Sequence, residues 1–177
     1  MSFKPIRSES CTSVVSFSDP AIDWDRVADR EIEESEEIRA LEVEHSEKRT
    51  LAFARYIERV GPDTVRNPSK IKGTLIFRDG EHPTEFVIGV IPPDDFGRII
   101  DETEHGTEDR YWRTFTASLR NVTRWPSDVP KKTLDGVEYA DPAWIRQTFI
   151  RGLRRIAIEV GKVSWMWNQV MEDEAKN

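Results

Sequence analysis

The sequence predicts an α+β fold that is mainly α, in which a β-hairpin is followed by a three-helix body and preceded by a long acidic helix. Three observations support this prediction. An apolar stripe at helical spacing runs through the C-terminal stretch Asp141–Met171. Two runs rich in β-branched and aromatic residues flank Asp79-Gly80, a strong turn pair. Residues 23–60 contain neither Gly nor Pro and therefore favour a helix.

Composition limits the classes of protein to consider. The 177 residues suit one domain of ordinary size, and six Trp with eight Phe can form a core. The net charge of −7 disfavours nucleic-acid binding, because phosphate contacts are electrostatic. The single cysteine, Cys11, excludes a disulfide framework and indicates a reducing compartment. With no apolar run of about 20 residues and no signal-peptide core, we expect a cytoplasmic protein without membrane contact.

The first 61 residues divide into a polar arm, 1–22, and an acidic helix, 23–61. Val14–Phe17, within the arm, could pair as a short strand. Between Asp23 and Arg49 there are eleven carboxylates and five basic residues, and the predicted helix stops at Gly61-Pro62. Two interpretations remain open: a solvated acidic face, or an acidic arm that meets a basic surface.

Residues 71–171 are predicted to form the hairpin and the helical body. The hairpin strands are Gly73–Arg78 and Thr84–Ile91. Because an isolated two-stranded hairpin is marginal in water, it must rest on helices or recruit a strand. That strand would come from Val14–Phe17 or from a neighbouring subunit.

Three helices should follow the hairpin. The first starts at Asp94 and ends near Glu104, and the second spans about Thr107–Thr123. Ser127–Ala140 is predicted to be a loop with a turn at Asp135-Gly136. The third helix is Asp141–Met171, and residues 172–177 form a polar tail. The apolar stripe of this third helix comprises Phe149, Leu153, Ile156, Val160, Val163, Trp167 and Val170.

The ends and the glycines of the third helix carry further information. Asp141 is a suitable N-cap, and Pro142 fits the first helical position. Gly152 and Gly161 each cost a helix about 1 kcal/mol relative to alanine. Either they allow close backbone packing, or Gly161 marks a bend.

The sequence offers no catalytic, cofactor-binding or metal-binding residues. It lacks a phosphate-binding glycine loop, a nucleophile elbow and the spacings of zinc sites. The three histidines are far apart in polar surroundings, and Asp94-Asp95 is typical of a helix N-terminus. Cys11 has no recognisable basic neighbourhood that would activate its thiol. We therefore expect a protein that is not an enzyme.

The residues predicted to bind a partner lie in the third helix. Several basic side chains fall off the apolar stripe and form a basic face, which either pairs with the acidic helix or binds a partner. Trp165 lies on the opposite side of the helix from Trp167, so it is either an exposed interface anchor or a residue packed against the arm. The predicted partner-binding residues are Trp144, Trp165, Arg151, Arg154 and Arg155.

The order of the parts resembles a known family over about residues 72–170. A strand, Thr84–Ile91, leads through Pro92-Pro93-Asp94-Asp95-Phe96 into a short helix. An amphipathic helix then ends in Asn121-Val122-Thr123-Arg124-Trp125-Pro126, and the turn Leu134-Asp135-Gly136-Val137 precedes the last helix. This order is similar to that of the small tail assembly chaperones of long-tailed bacteriophages.

The resemblance implies a non-catalytic phage assembly protein. It would keep the tape-measure protein soluble and help tail-tube subunits to assemble on it in the host cytoplasm. The alternative is a structural virion subunit, such as a head–tail connector or a minor tail or capsid protein, that docks on neighbouring subunits through the N-terminal arm. Oligomerisation is compatible with both hypotheses.

Overall fold

The computed structural model describes residues 10–66, 72–150 and 152–176, and the side chains of all of these except 61–66 and 172–176. The described residues are mainly helical and include five short strands, so the predicted class, α+β and mainly α, is confirmed. The chain forms two units. Met1–Ser18 and Thr84–Asn177 form one, the sheet unit, and Asp19–Pro83 form the other, the helical unit. This grouping differs from the predicted arm, acidic helix, body and tail.

The sheet unit contains a three-stranded antiparallel sheet in the order β1-β2-β3. Its strands are β1 Cys11–Val15, β2 Glu85–Gly89 and β3 Leu119–Thr123. Phe86 in the central strand is paired with Val14 on one side and Val122 on the other, and all three are buried. Their alternation with more exposed neighbours places one face of the sheet in the core.

The predicted hairpin is wrong in one of its two strands. Thr84–Ile91 does contain a strand, β2, but Gly73–Arg78 does not pair with it. Residues 72–74 form a turn of helix, and Phe77 makes an isolated bridge to Ile22 in the helical unit. Instead β2 pairs with β3 and with β1, which overlaps one of the two strand sources predicted for it. Asp79–Pro83 is longer than a two-residue turn, so the Asp79-Gly80 pair alone does not set the pairing, which distant residues decide.

The described part of the sheet unit also contains four helices and a β-hairpin. The helices are α4 Pro93–Glu102, α5 Glu108–Ser118, α6 Pro142–Phe149 and α7 Arg154–Lys176. The hairpin consists of β4 Lys131–Leu134 and β5 Val137–Ala140. As predicted, Asp141 caps α6 by accepting hydrogen bonds from the backbone N–H groups of Ala143 and Trp144, at 2.7 and 3.4 Å.

Several predicted boundaries in this unit are wrong. The three-helix body has four helices, because the last predicted helix is interrupted between Phe149 and Arg154, and the tail 172–177 is helical through Lys176. The predicted helix 107–123 becomes strand at Leu119, where the backbone pairs with β2. The predicted loop 127–140 contains β4 and β5. In each case backbone pairing or packing with a distant element overrides a local preference.

Helices α5 and α7 make the most extensive helix–helix contact in the unit. Gly161 lies at this contact: a Cβ there would be 2.8 Å from the carbonyl carbon of Tyr111, and closer still to its oxygen. Gly161 lies inside α7, so it permits close packing and does not end the helix. Gly152 lies in the interruption, and a Cβ there would meet nothing within 4 Å.

The predicted acidic helix 23–61 is wrong as a single element. Residues 24–66 are divided among three helices, α1 Trp24–Glu34, α2 Glu36–Ala40 and α3 His45–Arg66. Ser35 ends α1 and caps α2, since its hydroxyl accepts a hydrogen bond from the Ile38 N–H at 3.3 Å. This side chain competes with the helical backbone pattern at the middle of the acidic run. At its other end, α3 continues past Gly61-Pro62, because a proline removes one helical hydrogen bond without forbidding continuation.

Part of the acidic charge is neutralised within the helical unit. Glu31 is only 3% exposed and accepts a hydrogen bond from Arg59. That bond is the main reason why the pKa of Arg59 is raised. Arg49 in α3 reaches Asp25 in α1 at 2.8 Å. The acidic run is therefore a set of helices joined by ion pairs rather than one solvated arm.

Alkaline conditions should destabilise the helical unit through Tyr56. Burial raises the pKa of this fully buried phenol, whose hydroxyl lies 2.9 Å from Thr74 Oγ1. The unfolded chain therefore releases the proton first, and this contribution to stability is lost as the pH rises from 10.0 through the folded-state pKa. Denaturant unfolding across that range should show a steeper loss in the wild type than in Tyr56→Phe. If the free energy of unfolding fell equally steeply with pH in both proteins, Tyr56 would not be the cause of the loss.

Candidate functional site

Two arginines of the predicted basic face contact carboxylates. Arg154 lies 3.6 Å from Glu108, and its guanidinium is 5.9 Å from the centre of the Trp112 ring. Arg155 Nε donates to Glu159 at 3.1 Å, one turn along α7. The carboxylates that these arginines contact are in the sheet unit itself. Arg151 lies outside the described residues.

The two predicted tryptophans belong to apolar clusters. Trp144 is half-buried and packs against Trp125 and Phe149, with ring centres 6.0 and 5.8 Å away. Trp165 is only 5% exposed, and its ring lies 4.7 Å from that of Phe96. The prediction of an exposed anchor at Trp165 is therefore wrong. Among the described residues, α4 contributes Phe96 and Ile99 to the cluster that contains Trp165.

Helix α7 is buried on two sides, which explains this error. Trp167 faces the main core beneath the sheet, whereas Trp165 joins a second cluster with Ile91, Phe96 and Ile99. Sequence periodicity identified only the first face. The second becomes visible once α4 is placed, because its apolar residues need a surface to cover.

A groove open to solvent is the clearest candidate site in the sheet unit. It has a volume of about 530 Å³ and lies between helices α4 and α5 on one side and the β4–β5 hairpin with the start of α6 on the other. We call it the hairpin groove. It is lined by Asp95, Arg98, Ile99, Glu102, Trp112, Arg113, Thr116, Ala117, Lys132, Leu134, Tyr139, Pro142 and Arg146.

The helical wall of the groove is held by Arg110. This side chain is buried, and it donates to Thr103 Oγ1 at 2.8 Å, to the Ile100 carbonyl at 3.1 Å and to the Thr103 carbonyl. Its guanidinium also lies 4.8 Å from the centre of the Trp165 ring. Arg110 thus satisfies the C-terminal carbonyls of α4 from within α5 and keeps the two helices together.

The turn at Asp135-Gly136 determines which residues of the hairpin form the second wall of the groove. Asp135 and Gly136 both have positive φ, 50° and 79°, as a two-residue type I′ turn requires. The turn pairs Lys132 with Tyr139, and period-two alternation places Leu134 on the same face as Lys132. Sequence analysis identified the turn but missed these three groove residues, because β4 is short, polar and exposed.

Arg120 attaches the hairpin wall to the sheet. Its guanidinium lies 3.7 Å from the centre of the Tyr139 ring and donates to the carbonyls of Val90, Ala117 and Ser118 at 2.7, 3.1 and 3.2 Å. Burial lowers the pKa of Arg120. The side chain fills the space above Gly89, where a Cβ would be 2.6 Å from its Nε atom. Tyr139 therefore has a rigid support behind the groove.

The charges along the groove differ between the two walls. On the helical wall, Arg98 pairs with Asp95 at 2.9 Å, and Arg113 pairs with Glu102 at 2.7 Å. On the hairpin wall, Lys132 and Arg146 are exposed and have no ion pair among the side chains that the structure describes. The groove thus combines an apolar centre, a neutralised wall and a cationic wall.

Cys11 has a basic neighbourhood that the sequence did not reveal. It lines a second, smaller cavity of about 380 Å³ with Arg120 and Lys131. Lys131 donates to Asn121 Oδ1 at 2.9 Å and to the Arg120 carbonyl, and burial lowers its pKa. Both cations are thus engaged by oxygen atoms of the protein. The residues around this cavity therefore join the β4–β5 hairpin to the sheet.

Within residues 10–66, 72–150 and 152–176, no three His, Cys, Asp or Glu side chains lie close enough together to hold a metal ion. No helix in the same residues is both long and apolar enough to cross a membrane. Comparison of the chain with protein-family models, curated proteins and solved structures gives no significant match.

Proposed function

We propose that this chain is a non-catalytic binding protein of bacteriophage tail assembly, whose hairpin groove holds an apolar helical segment of the tape-measure protein. The observation that carries the proposal is the groove itself. It is lined by the apolar side chains of Leu134, Tyr139 and Trp112, and Tyr139 is supported from behind by Arg120.

The shape of the groove favours a helix as its occupant. The site is open to solvent, and its lining includes Ile99 and Ala117 from the two packed helices α4 and α5. An amphipathic helix binds such a groove by inserting side chains from one face, at positions i, i+3, i+4 and i+7. The tape-measure protein is the partner implied by the resemblance of residues 72–170 to tail assembly chaperones.

Leu134 provides the direct test of this function. It is 55% exposed in the groove, so Leu134→Asp removes apolar contact area without opening a cavity in the core. We expect the substitution to reduce the soluble yield of co-expressed tape-measure protein at least fivefold. A loss of about 1–2 kcal/mol in binding would produce that change.

Leu51→Asp is the matched control. Leu51 is 45% exposed and lies in the helical unit, so the same chemical change leaves the groove intact. The control should solubilise the tape-measure protein as well as the wild type does. Equal yields with Leu134→Asp and wild type, both correctly folded, would refute the proposal. Mass spectrometry of mature particles tests the alternative, because only a structural virion subunit should remain in them.

A further inference from the structure

The unequal charge of the two groove walls carries information about the partner. Arg98 of the helical wall is paired with Asp95, and Arg113 is paired with both Glu102 and Asp109, so both arginines of that wall are already bound to carboxylates. Lys132 and Arg146 are opposite this wall and have no ion pair among the described side chains. A segment bound in the groove would therefore have two unpaired cations beside it on the hairpin wall.

Local structure directs both cations towards the occupant. Lys132 shares a strand face with Leu134, which lines the groove. Arg146 lies one helical turn after Pro142, so these two α6 residues share a side and both line the groove. Each cation is thus adjacent to an apolar contact residue, as expected for polar groups at the rim of an interface.

The two cations also oppose the overall charge of the molecule. With a net charge of −7, the chain as a whole repels an acidic ligand. A preference for an acidic segment can therefore come only from charges placed close to it. Such local complementarity governs specificity more than total affinity.

We infer that the occupant of the hairpin groove is an amphipathic helix with carboxylates along one flank, which contact Lys132 and Arg146. The inference rests on the proposed function and specifies the chemistry of the partner at that site. Apolar side chains of the helix cover Leu134 and Tyr139. The carboxylate flank then sets the direction in which the helix lies, because only one wall is cationic.

Two designed helical peptides of about 15 residues test this inference. Both carry leucine at positions i, i+3, i+4 and i+7, and they differ only in having glutamate or lysine along one flank. Fluorescence anisotropy of the labelled peptides with the full chain measures both affinities at low salt. We expect the glutamate peptide to bind about tenfold more tightly. Lys132→Glu and Arg146→Glu should each weaken its binding by about fivefold.

Two variants make the outcomes distinguishable. Leu134→Asp should abolish binding of both peptides, whereas Lys162→Glu, an exposed charge reversal on α7 outside the groove, should change neither affinity. Equal binding of both peptides, lost in Leu134→Asp, would overturn the inference and leave the proposed function intact. Failure of both peptides to bind would count against the proposed function itself. Equal effects of Lys162→Glu and Arg146→Glu would also overturn the inference, since net charge would then explain them.

Discussion

Replacing Gly161 with alanine should destabilise the chain by about 2–3 kcal/mol, although alanine is the better helix former by about 1 kcal/mol. The added methyl group would be 2.8 Å from the carbonyl carbon of Tyr111 and 3.2 Å from Cβ of Phe115. A backbone carbonyl cannot rotate away as a flexible side chain can. Helices α5 and α7 must therefore separate, and the side chains buried between them lose contacts.

Gly97→Ala is the matched control for this prediction. Gly97 also lies inside a helix, α4, but a Cβ there would meet nothing within 4 Å. This substitution should raise the free energy of unfolding by about 0.5–1 kcal/mol. Urea unfolding followed by circular dichroism measures both variants. If the two variants had the same free energy of unfolding, α5 and α7 would not be in close contact at Gly161.

Replacing Trp165 with alanine should lower the free energy of unfolding by about 3–5 kcal/mol, which is the usual cost of removing a buried aromatic side chain. Trp165 is 5% exposed and packs on Phe96 at 4.7 Å between ring centres. The guanidinium of Arg110 also lies 4.8 Å from the centre of its ring. The substitution would leave a cavity beneath α4 and remove the aromatic contact of a buried cation.

Trp165→Phe separates packing from partner binding. It keeps an aromatic ring against Phe96, so it should cost less than half as much as Trp165→Ala in chemical unfolding. Neither variant should change the affinity of the groove peptides once the folded fraction is taken into account, since Trp165 does not line the groove. A large loss of affinity in a fully folded Trp165→Phe protein would restore Trp165 as a partner-binding residue.

Local chemistry was sufficient to predict features that depend on neighbouring residues. The cap at Asp141, the proline at the start of α6 and the turn at Asp135-Gly136 are all found as predicted. Each is stabilised by contacts within about four residues. The predicted apolar stripe is divided between two helices, but its members Phe149 in α6 and Val160 and Trp167 in α7 are all in the core.

Features that depend on distant pairing could not be predicted in the same way. Leu119 and Val122 are three residues apart and fit the apolar face of a helix, but pairing with β2, with a register shift between Val87 and Ile88, makes them part of a strand. Trp165 is buried because α4 packs against α7, and the spacing of apolar residues in the sequence does not reveal which helices pack together. The hairpin groove is likewise a product of tertiary structure, because its residues come from α4, α5, the hairpin and α6.

The sequence by itself determined the fold class, the apolar stripe of the last helix and the chemistry of caps and turns, because these depend on composition and on short-range geometry. Tertiary structure alone decided that Gly161 is a packing contact, that Trp165 is buried and that Lys132 and Arg146 share a groove. The physical reason is that burial and charge pairing depend on which distant side chains come within contact distance. Those distances arise only when the helices and strands pack against one another.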